Sequence, residues 1–342
     1  MSMDKISIVI PAFNAEDTIE RAVRSAVEQT WENTEIIVVD DGSYDRTPEV
    51  LRELEKELPR LTVIRQANSG VSSARNTGIA AASGRWLLTL DDDDYVDGNM
   101  LSGLHACAEN GCDLAICGMK LVYPDHTEAF SCGEALTDTR KNFLDQKMLR
   151  LYDNHLLTTH ANKLYDMDII RRERLRYDPE LQINEDIDFV LRYLRCCGRI
   201  GCISGTYLNY VQHGTGESLV STFRENGVRS SVRLAETLDA LLAETGTDRE
   251  VSGGMHQRML VHVLSFAGLM YSRSSMSDGE KLAAIRGLAE DPAFRRLLKE
   301  TEPDGVKTAA AKFLLSTGQY RIYHGLCRLI YRTRKTGAEE RT

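Results

Sequence analysis

Hydrophobic positions in the first third of the chain follow two periods in turn. "KISIVIPAF" is a short β-branched run, which predicts a buried strand. Ile19, Ala22, Val23, Ala26 and Val27 then recur at helical spacing. "TEIIVVDDGS" predicts a second strand ending in a turn. Thr47 and Pro48 read as the N-cap and first residue of a second helix, which buries Val50, Leu51, Leu54 and Leu58. "RLTVIRQ" is a third strand, residues 71–82 a small-residue helix, and "GRWLLTLD" a fourth strand. After a helix near 98–110 comes a fifth strand, "CDLAICG". Strand and helix alternating in this way predict an α/β fold, a mostly parallel sheet with helices on both faces.

The pattern is mixed from about 118 to 215. It includes a helix over 185–195, with Phe189, Val190, Tyr193 and Leu194 on its apolar face, and a strand in "IGCISGTYLNYVQH". Beyond about 224 the periodicity is helical throughout, with a break at Pro292.

Composition narrows the classes. Hydrophobic residues make up 42% and charged residues 27%, as in a soluble globular protein. The net charge of −9 gives no footprint for nucleic acid, which calls for an excess of Lys and Arg. No two of the eight cysteines form a C-x-x-C pair, so they read as reduced, mostly buried cytosolic thiols. "ISIVIPAF" is too short to span a bilayer and lacks the flanks of a signal peptide.

In α/β sheets ligands bind beyond the carboxyl ends of the strands. Three of those ends, "PAFN", "DDGS" and "DDDD", are therefore expected to converge. The four adjacent carboxylates Asp91, Asp92, Asp93 and Asp94 are the strongest chemical signal. A solvated turn and helix cap is one account of them. A hard divalent cation that offsets their repulsion is the other. A calcium-binding EF-hand loop is excluded, because its register from Asp93 puts Leu104 where an acidic ligand is required.

Six segments occur in order: "ISIVIPAFNAEDTIERAVRSAVEQT", "IIVVDDGSYDRT", "NSGVSSARNTGIAAASG", "LDDDDYV", "NKLY" and "NEDIDF". Together they strongly resemble the inverting family 2 glycosyltransferases of bacterial polysaccharide type, over roughly residues 5–220. The resemblance implies a GT-A fold over 1–223, with a nucleotide-sugar-binding half (1–118) and an acceptor-side half (119–223), followed by a helical region over 224–342. The implied donor is a nucleotide sugar, UDP-linked, and the implied acceptor is a saccharide or a lipid-linked species.

The resemblance also implies residue roles. Asp91 lies near the ribose, and Asp93 meets Mn²⁺ or Mg²⁺ on the diphosphate. Asp92 stands where the family more often has Ser, which leaves open which carboxylates ligate. Asp40 accepts a hydrogen bond from the nucleobase, and Pro11, Phe13 and Asn14 border base and ribose. Arg75 and Asn76 lie beside the nucleotide, with a buried structural ion pair as the alternative for Arg75. Glu185 and Asp186 open a helix, where a carboxylate is also favoured by the helix dipole; the family role of Asp186 is the catalytic base. His213 is a candidate for the metal or diphosphate. The competing functions are a sugar-nucleotide pyrophosphorylase, whose Gly-rich opening loop is missing here, and an inactive nucleotide-sugar-binding scaffold.

Residues 312–335, "KFLLSTGQYRIYHGLCRLIYRTRK", reverse the overall charge, with six basic and no acidic residues. Ile322, Leu326, Leu329 and Ile330 share one helical face, with Tyr320, Tyr323 and Tyr331 nearby. Two readings stand: a basic amphipathic helix in a membrane interface, or a terminal helix packing that apolar face on its own domain. The first places a cytoplasmic protein peripherally on the membrane, the second leaves it in the cytosol.

Overall fold

A computed structural model describes residues 3–181, 183–212 and 226–339, with side chains described as far as Tyr331. The opening alternation is β1 (Ile6–Ala12), α1 (Ile19–Val27), β2 (Thr34–Asp40), α2 (Thr47–Glu57), β3 (Leu61–Arg65), α3 (Val71–Ala81) and β4 (Trp86–Thr89). There follow β5 (Tyr95–Val96), α4 (Met100–Glu109), β6 (Leu114–Val122), β7 (Thr127–Phe130), β8 (Leu136–Thr139), α5 (Arg140–Asp153), β9 (Lys163–Asp166), α6 (Met167–Glu173), α7 (Glu185–Cys196) and β10 (Arg199–Val211). The rest is helical: α8 (Gly227–Thr245), α9 (Arg249–Ser272), α10 (Asp278–Glu290), α11 (Pro292–Glu300), α12 (Gly305–Ser316) and α13 (Tyr320–Glu339).

The chain forms two compact units, Met1–Glu180 with Glu185–Gly214, and Leu181–Asn184 with Thr215–Thr342. The first is a mixed sheet in the order β3-β2-β1-β4-β9-β6-β10-β5, with β7 paired to β6 and β8 to β10. Every residue of β1 is buried, as its unbroken apolar run requires. β1 pairs in parallel with β2 and with β4, so the order reverses beside β1. A reversal of this kind opens a crevice at the strand ends. The register sets Ala12 opposite Asp40 and Asp40 opposite Arg65. The loops after β1 and β2 therefore start side by side, and "DDDD" follows β4 next to them.

The parallel run is interrupted. β9 lies between β4 and β6 and is antiparallel to both. Its four residues, Lys163–Asp166, are all buried, but a segment this short with a charge at each end carries no strand period. The interior Lys163 is held by the Leu156 carbonyl (2.6 Å), the Asn162 Oδ1 (2.7 Å) and the Thr159 carbonyl. Burial lowers its pKa to about 7.

Small residues in α3 have a packing reason. A Cβ on Gly78 would come within 2.3 Å of Val9 Cγ1, so glycine lets α3 lie close on β1. The cap of α2 falls one residue earlier than its sequence suggests: Arg46 is the N-cap and Thr47 is already helical. Asp45 Oδ1 accepts from the Thr47 amide (3.0 Å), which frees Thr47 Oγ1 to accept from the Ala15 amide (2.7 Å). All eight cysteines are free thiols; seven are buried and Cys196 is half-buried.

In the second unit α8 packs on α9 and α11, and α13 packs on α9, α10 and α12. Pro292 sits in the first turn of α11, whose N-cap Asp291 accepts from the Ala293 and Phe294 amides. The terminal helix packs on its own unit, as one of the two accounts expects, but through a different side from the aliphatic one. Among the described residues of α13, Tyr323 and Cys327 are buried, whereas Ile322, Leu326, Leu329 and Ile330 are exposed. Among the described residues, no helix is long and apolar enough to cross a membrane.

Candidate active site

Three strand ends build the site. After β1, Asn14 takes a left-handed backbone (φ 53°), which asparagine tolerates better than most residues. Its Oδ1 accepts from the Tyr44 amide (3.1 Å), while its own amide donates to Ser43 Oγ (3.0 Å). The loops after β1 and β2 are thus fastened to each other. Phe13 projects outward and meets the exposed Tyr44 edge-on, with centroids 5.8 Å apart. Pro11 lies buried in β1 opposite Val39, one residue before the strand ends at Ala12.

Asp40 is buried at the end of β2; its Oδ1 accepts from the Ser43 amide (2.9 Å) and its Oδ2 lies 3.4 Å from Arg65 Nε. Asp41 anchors the approach to α3. It accepts from Gln66 Nε2 (2.7 Å) and from the amides of Ser69 (2.9 Å) and Gly70 (2.7 Å). Gly70 has a φ of 89°, which favours glycine there.

The acidic segment is divided among four environments. Asp91 Oδ1 accepts from Arg75 Nη2 (2.8 Å). Burial raises the Asp91 pKa, but the charge and hydrogen bond of Arg75 together with the neighbouring His160 hold the carboxyl well below its usual range. Asp92 Oδ2 accepts from the Phe13 amide (3.1 Å), tying the β1 and β4 ends together. Burial, with the charges of Asp93 and Asp91 added, outweighs that bond and raises Asp92 to about 7. The Asp93 backbone carbonyl accepts from Arg21 Nη2 (2.6 Å), and the guanidinium of Arg21 lies over the Tyr95 ring. Asp94 is 1% exposed; its Oδ1 accepts from the Val211 amide (2.8 Å), and its Oδ2 is buried with no hydrogen-bond partner among the described residues. Burial, then Asp91 and Asp93, raise Asp94 to about 9. A shallow cavity of about 360 Å³ beside this segment is lined by Phe13, Asn14, Ala15, Asp17, Thr18, Asp92 and Asp93.

Arg75 joins the acidic segment to the start of α7. It is 4% exposed, and its second amino group donates to Glu185 Oε1 (3.0 Å). Carboxylates 94 positions apart in sequence therefore share one guanidinium. Asn76, one residue on, does not turn toward the acidic loop: its Nδ2 donates to the Tyr177 carbonyl (2.7 Å) and its Oδ1 accepts from the Tyr177 amide (2.9 Å). Tyr177 in turn lies under Arg75 and stacks on Phe189 of α7 with centroids 4.2 Å apart. The Arg-Asn pair thus fixes where α7 begins.

Three carboxylates lie in the first turn of α7. Glu185 is on Arg75, and Asp188 is on Arg192 (2.7 Å). Asp186 forms no ion pair among the described residues; its Oδ1 accepts from the Ile187 amide (2.8 Å). Burial, followed by the Glu185 charge, raises it to about 7. Asp186 is thereby poised to take up a proton near neutrality.

His160, unsignalled by any sequence pattern, is 2% exposed, with Nε2 3.4 Å from Asp91 Oδ1. Burial, then the Arg75 charge, lower its pKa, so it stands beside Asp91 as a neutral ring. Arg65 and Arg21 also escaped notice, since each looks like an ordinary surface residue until its partner is known, and Asp41 reads in the sequence only as a turn residue. His213 lies outside the described residues. Among the described residues no group of three or more His, Cys, Asp or Glu is placed to hold a metal by itself. The donor set still suits a hard cation. Asp91 to Asp94 offer carboxylate oxygens, and like-charge crowding is one reason two of them are pushed up in pKa.

A family model described as glycosyl transferase family 2 matches residues 7–173, which span all three strand ends and the acidic segment. The chain therefore carries a glycosyl transferase family 2 domain. As a glycosyltransferase of this family it is similar to the putative glycosyltransferase EpsH of Bacillus subtilis (strain 168), at 27% identity over 88% of each chain. It is also similar to the succinoglycan biosynthesis protein ExoO of Rhizobium meliloti (strain 1021), at 29% identity over 90% of this chain and 88% of ExoO. The uncharacterized glycosyltransferase EpsJ of Bacillus subtilis is 33% identical, over 59% of this chain and 60% of EpsJ. Its fold is that of S. aureus TarS 1–349, solved in complex with UDP-GlcNAc, with a TM-score of 0.68 at 20% identity over 97% of this chain and 92% of TarS 1–349. The α/β unit is thus a GT-A domain, followed by a helical region.

Proposed function

We propose that this family 2 glycosyltransferase moves a glycosyl group, with inversion, from a UDP-sugar to a hydroxyl of a saccharide or lipid-linked acceptor. The observation that carries the reading is the Arg75 bridge, which holds Asp91 and the Glu185-Asp186 pair in one site. The UDP and UDP-GlcNAc complexes of TarS support the choice of donor. Asp186 takes the proton as the acceptor oxygen bonds to the anomeric carbon. The bond from that carbon to the diphosphate oxygen breaks, and the nucleoside diphosphate leaves with the electron pair. Glu185 and Arg75 orient the start of α7, while Asp40, Phe13 and Asn14 stand where the nucleoside would lie.

Asp93, with Asp91 or Asp92, would hold Mg²⁺ or Mn²⁺. When bound, the cation neutralises charge on the departing diphosphate. Asp93→Ala is expected to cut transfer by about 10²-fold or more, the scale of losing one group that stabilises transition-state charge. Without metal its thermal midpoint should equal or exceed that of the wild type, because one repelling carboxylate is gone. Transfer assays with Mn²⁺ and with EDTA, beside melting curves, test both statements. Full turnover in EDTA or in Asp93→Ala would remove the metal from the mechanism.

A further inference from the structure

The two arcs of α13 do different things. Tyr323 and Cys327 face the interior of the helical unit, at 8% and 7% exposed. On the same side Tyr271 and His324 share a hydrogen bond of 2.9 Å. Ile322, Leu326, Leu329 and Ile330 are 54%, 40%, 64% and 39% exposed. At 3.6 residues per turn these four fall within an arc of about 100°. Arg321 and Arg328, seven residues apart, run along one border of it; both are exposed, and Arg328 also reaches Asp278 (2.6 Å). Arg332 and Lys335 continue that register in the sequence, and no acidic residue occurs between 312 and 335. Phe313 of the preceding helix is also exposed.

We propose that α13 is an interfacial anchor that lies on an anionic lipid bilayer, its aliphatic arc among the acyl chains and its basic border among the headgroup phosphates. Four aliphatic side chains spaced i, i+4, i+7, i+8 with an arginine edge match what such a surface offers: apolar depth beside negative charge. A second copy of this chain fits less well. An isologous pairing would set the same basic border against itself, with like charges meeting. The anchor is also needed for contact of this kind to be local, because the chain as a whole carries −9 and is repelled by the same surface.

The test is co-sedimentation of the full chain with vesicles of phosphatidylglycerol and phosphatidylcholine, and with vesicles of phosphatidylcholine alone. The wild type is expected to pellet with the anionic vesicles at low salt, to be released as salt rises, and to stay in solution with the neutral ones. A variant carrying Ile322→Ser, Leu326→Ser and Leu329→Ser should lose pelleting, and Arg321→Glu should weaken it. All four positions are exposed, so melting curves should match the wild type. The proposal is overturned if the wild type remains in the supernatant with anionic vesicles, or if the triple variant pellets equally. A wild-type dimer that the triple variant disperses, with no vesicle binding, also overturns it and assigns the arc to a second copy. Sugar transfer enters none of these readouts, so the outcome is separate from the fate of the proposed reaction.

Discussion

Asp186→Asn is expected to lower turnover by about 10²- to 10⁴-fold, the contribution of a positioned general base, while leaving nucleoside-diphosphate affinity nearly unchanged. The amide keeps the shape of the side chain and can still accept from the Ile187 amide. It removes only the capacity to take up a proton. Asp186 is the best placed of its neighbours for that task, because Glu185 and Asp188 are each committed to an arginine. The pH profile adds a second check. Asp186 is raised to about 7, by burial first and the Glu185 charge second, and only its ionised form is a base. Turnover of the wild type should therefore fall as pH drops through about 7. Glu185→Gln removes a like charge, which lowers the Asp186 pKa, so the acid limb should move to lower pH. Calorimetry with the nucleoside diphosphate and a transfer assay on the same samples measure both effects. Comparable turnover in Asp186→Asn and the wild type would reassign the base to Glu185 or Asp188.

Arg75→Met is expected to cost about 3 kcal/mol of stability, the lower end for removing one partner of a buried ion pair, since Asp91 and Glu185 keep some hydration. That corresponds to a fall of roughly 6–12 °C in the midpoint of a domain of this size. The methionine fills part of the space but leaves two carboxylates facing each other without a cation. The loss should depend on pH in a definite direction. In the wild type Asp91 has a depressed pKa, so its contribution is complete above its unfolded value of about 3.9 and is lost only as pH falls below it. In the variant burial prevails and the Asp91 pKa lies above the unfolded value, so stability falls as pH rises. The gap between the two proteins should widen from pH 4 to pH 7. Urea melts at several pH values test this; a gap that is constant with pH would show that Arg75 acts by packing alone. Transfer should fall as well, because the acidic segment and α7 lose their common tether.

The fold and much of the site could be read from local pattern. β1 to β4 and their helices appear as alternating periods because each element buries one face against the same sheet. The convergence of "PAFN", "DDGS" and "DDDD" follows from the parallel pairing of β1 with β2 and β4, which puts their carboxyl ends on one side. The acidic cluster stands out in a linear string, but the roles proposed for Asp93 and Asp186 come from the resemblance to the family, because a carboxylate at a helix start is equally an ordinary cap.

Other features depend on which distant residues meet. β9 is a strand only because β4 and β6 leave a gap that its four buried residues fill from both sides. The second partner of Arg75, Glu185, lies 110 residues away, and the pairing has no signal in the sequence. The amide of Asn76 is exhausted on Tyr177, a pairing with no sequence period. His160 became visible only beside Asp91. In α13 the sequence set the angles between Ile322, Leu326, Leu329 and Ile330, because helical geometry fixes them, but not which arc would face inward. The tertiary structure turned Tyr323 and Cys327 toward the unit and left the aliphatic arc outside, since an amphipathic pattern specifies relative positions around a helix axis and only packing fixes the rotation about it.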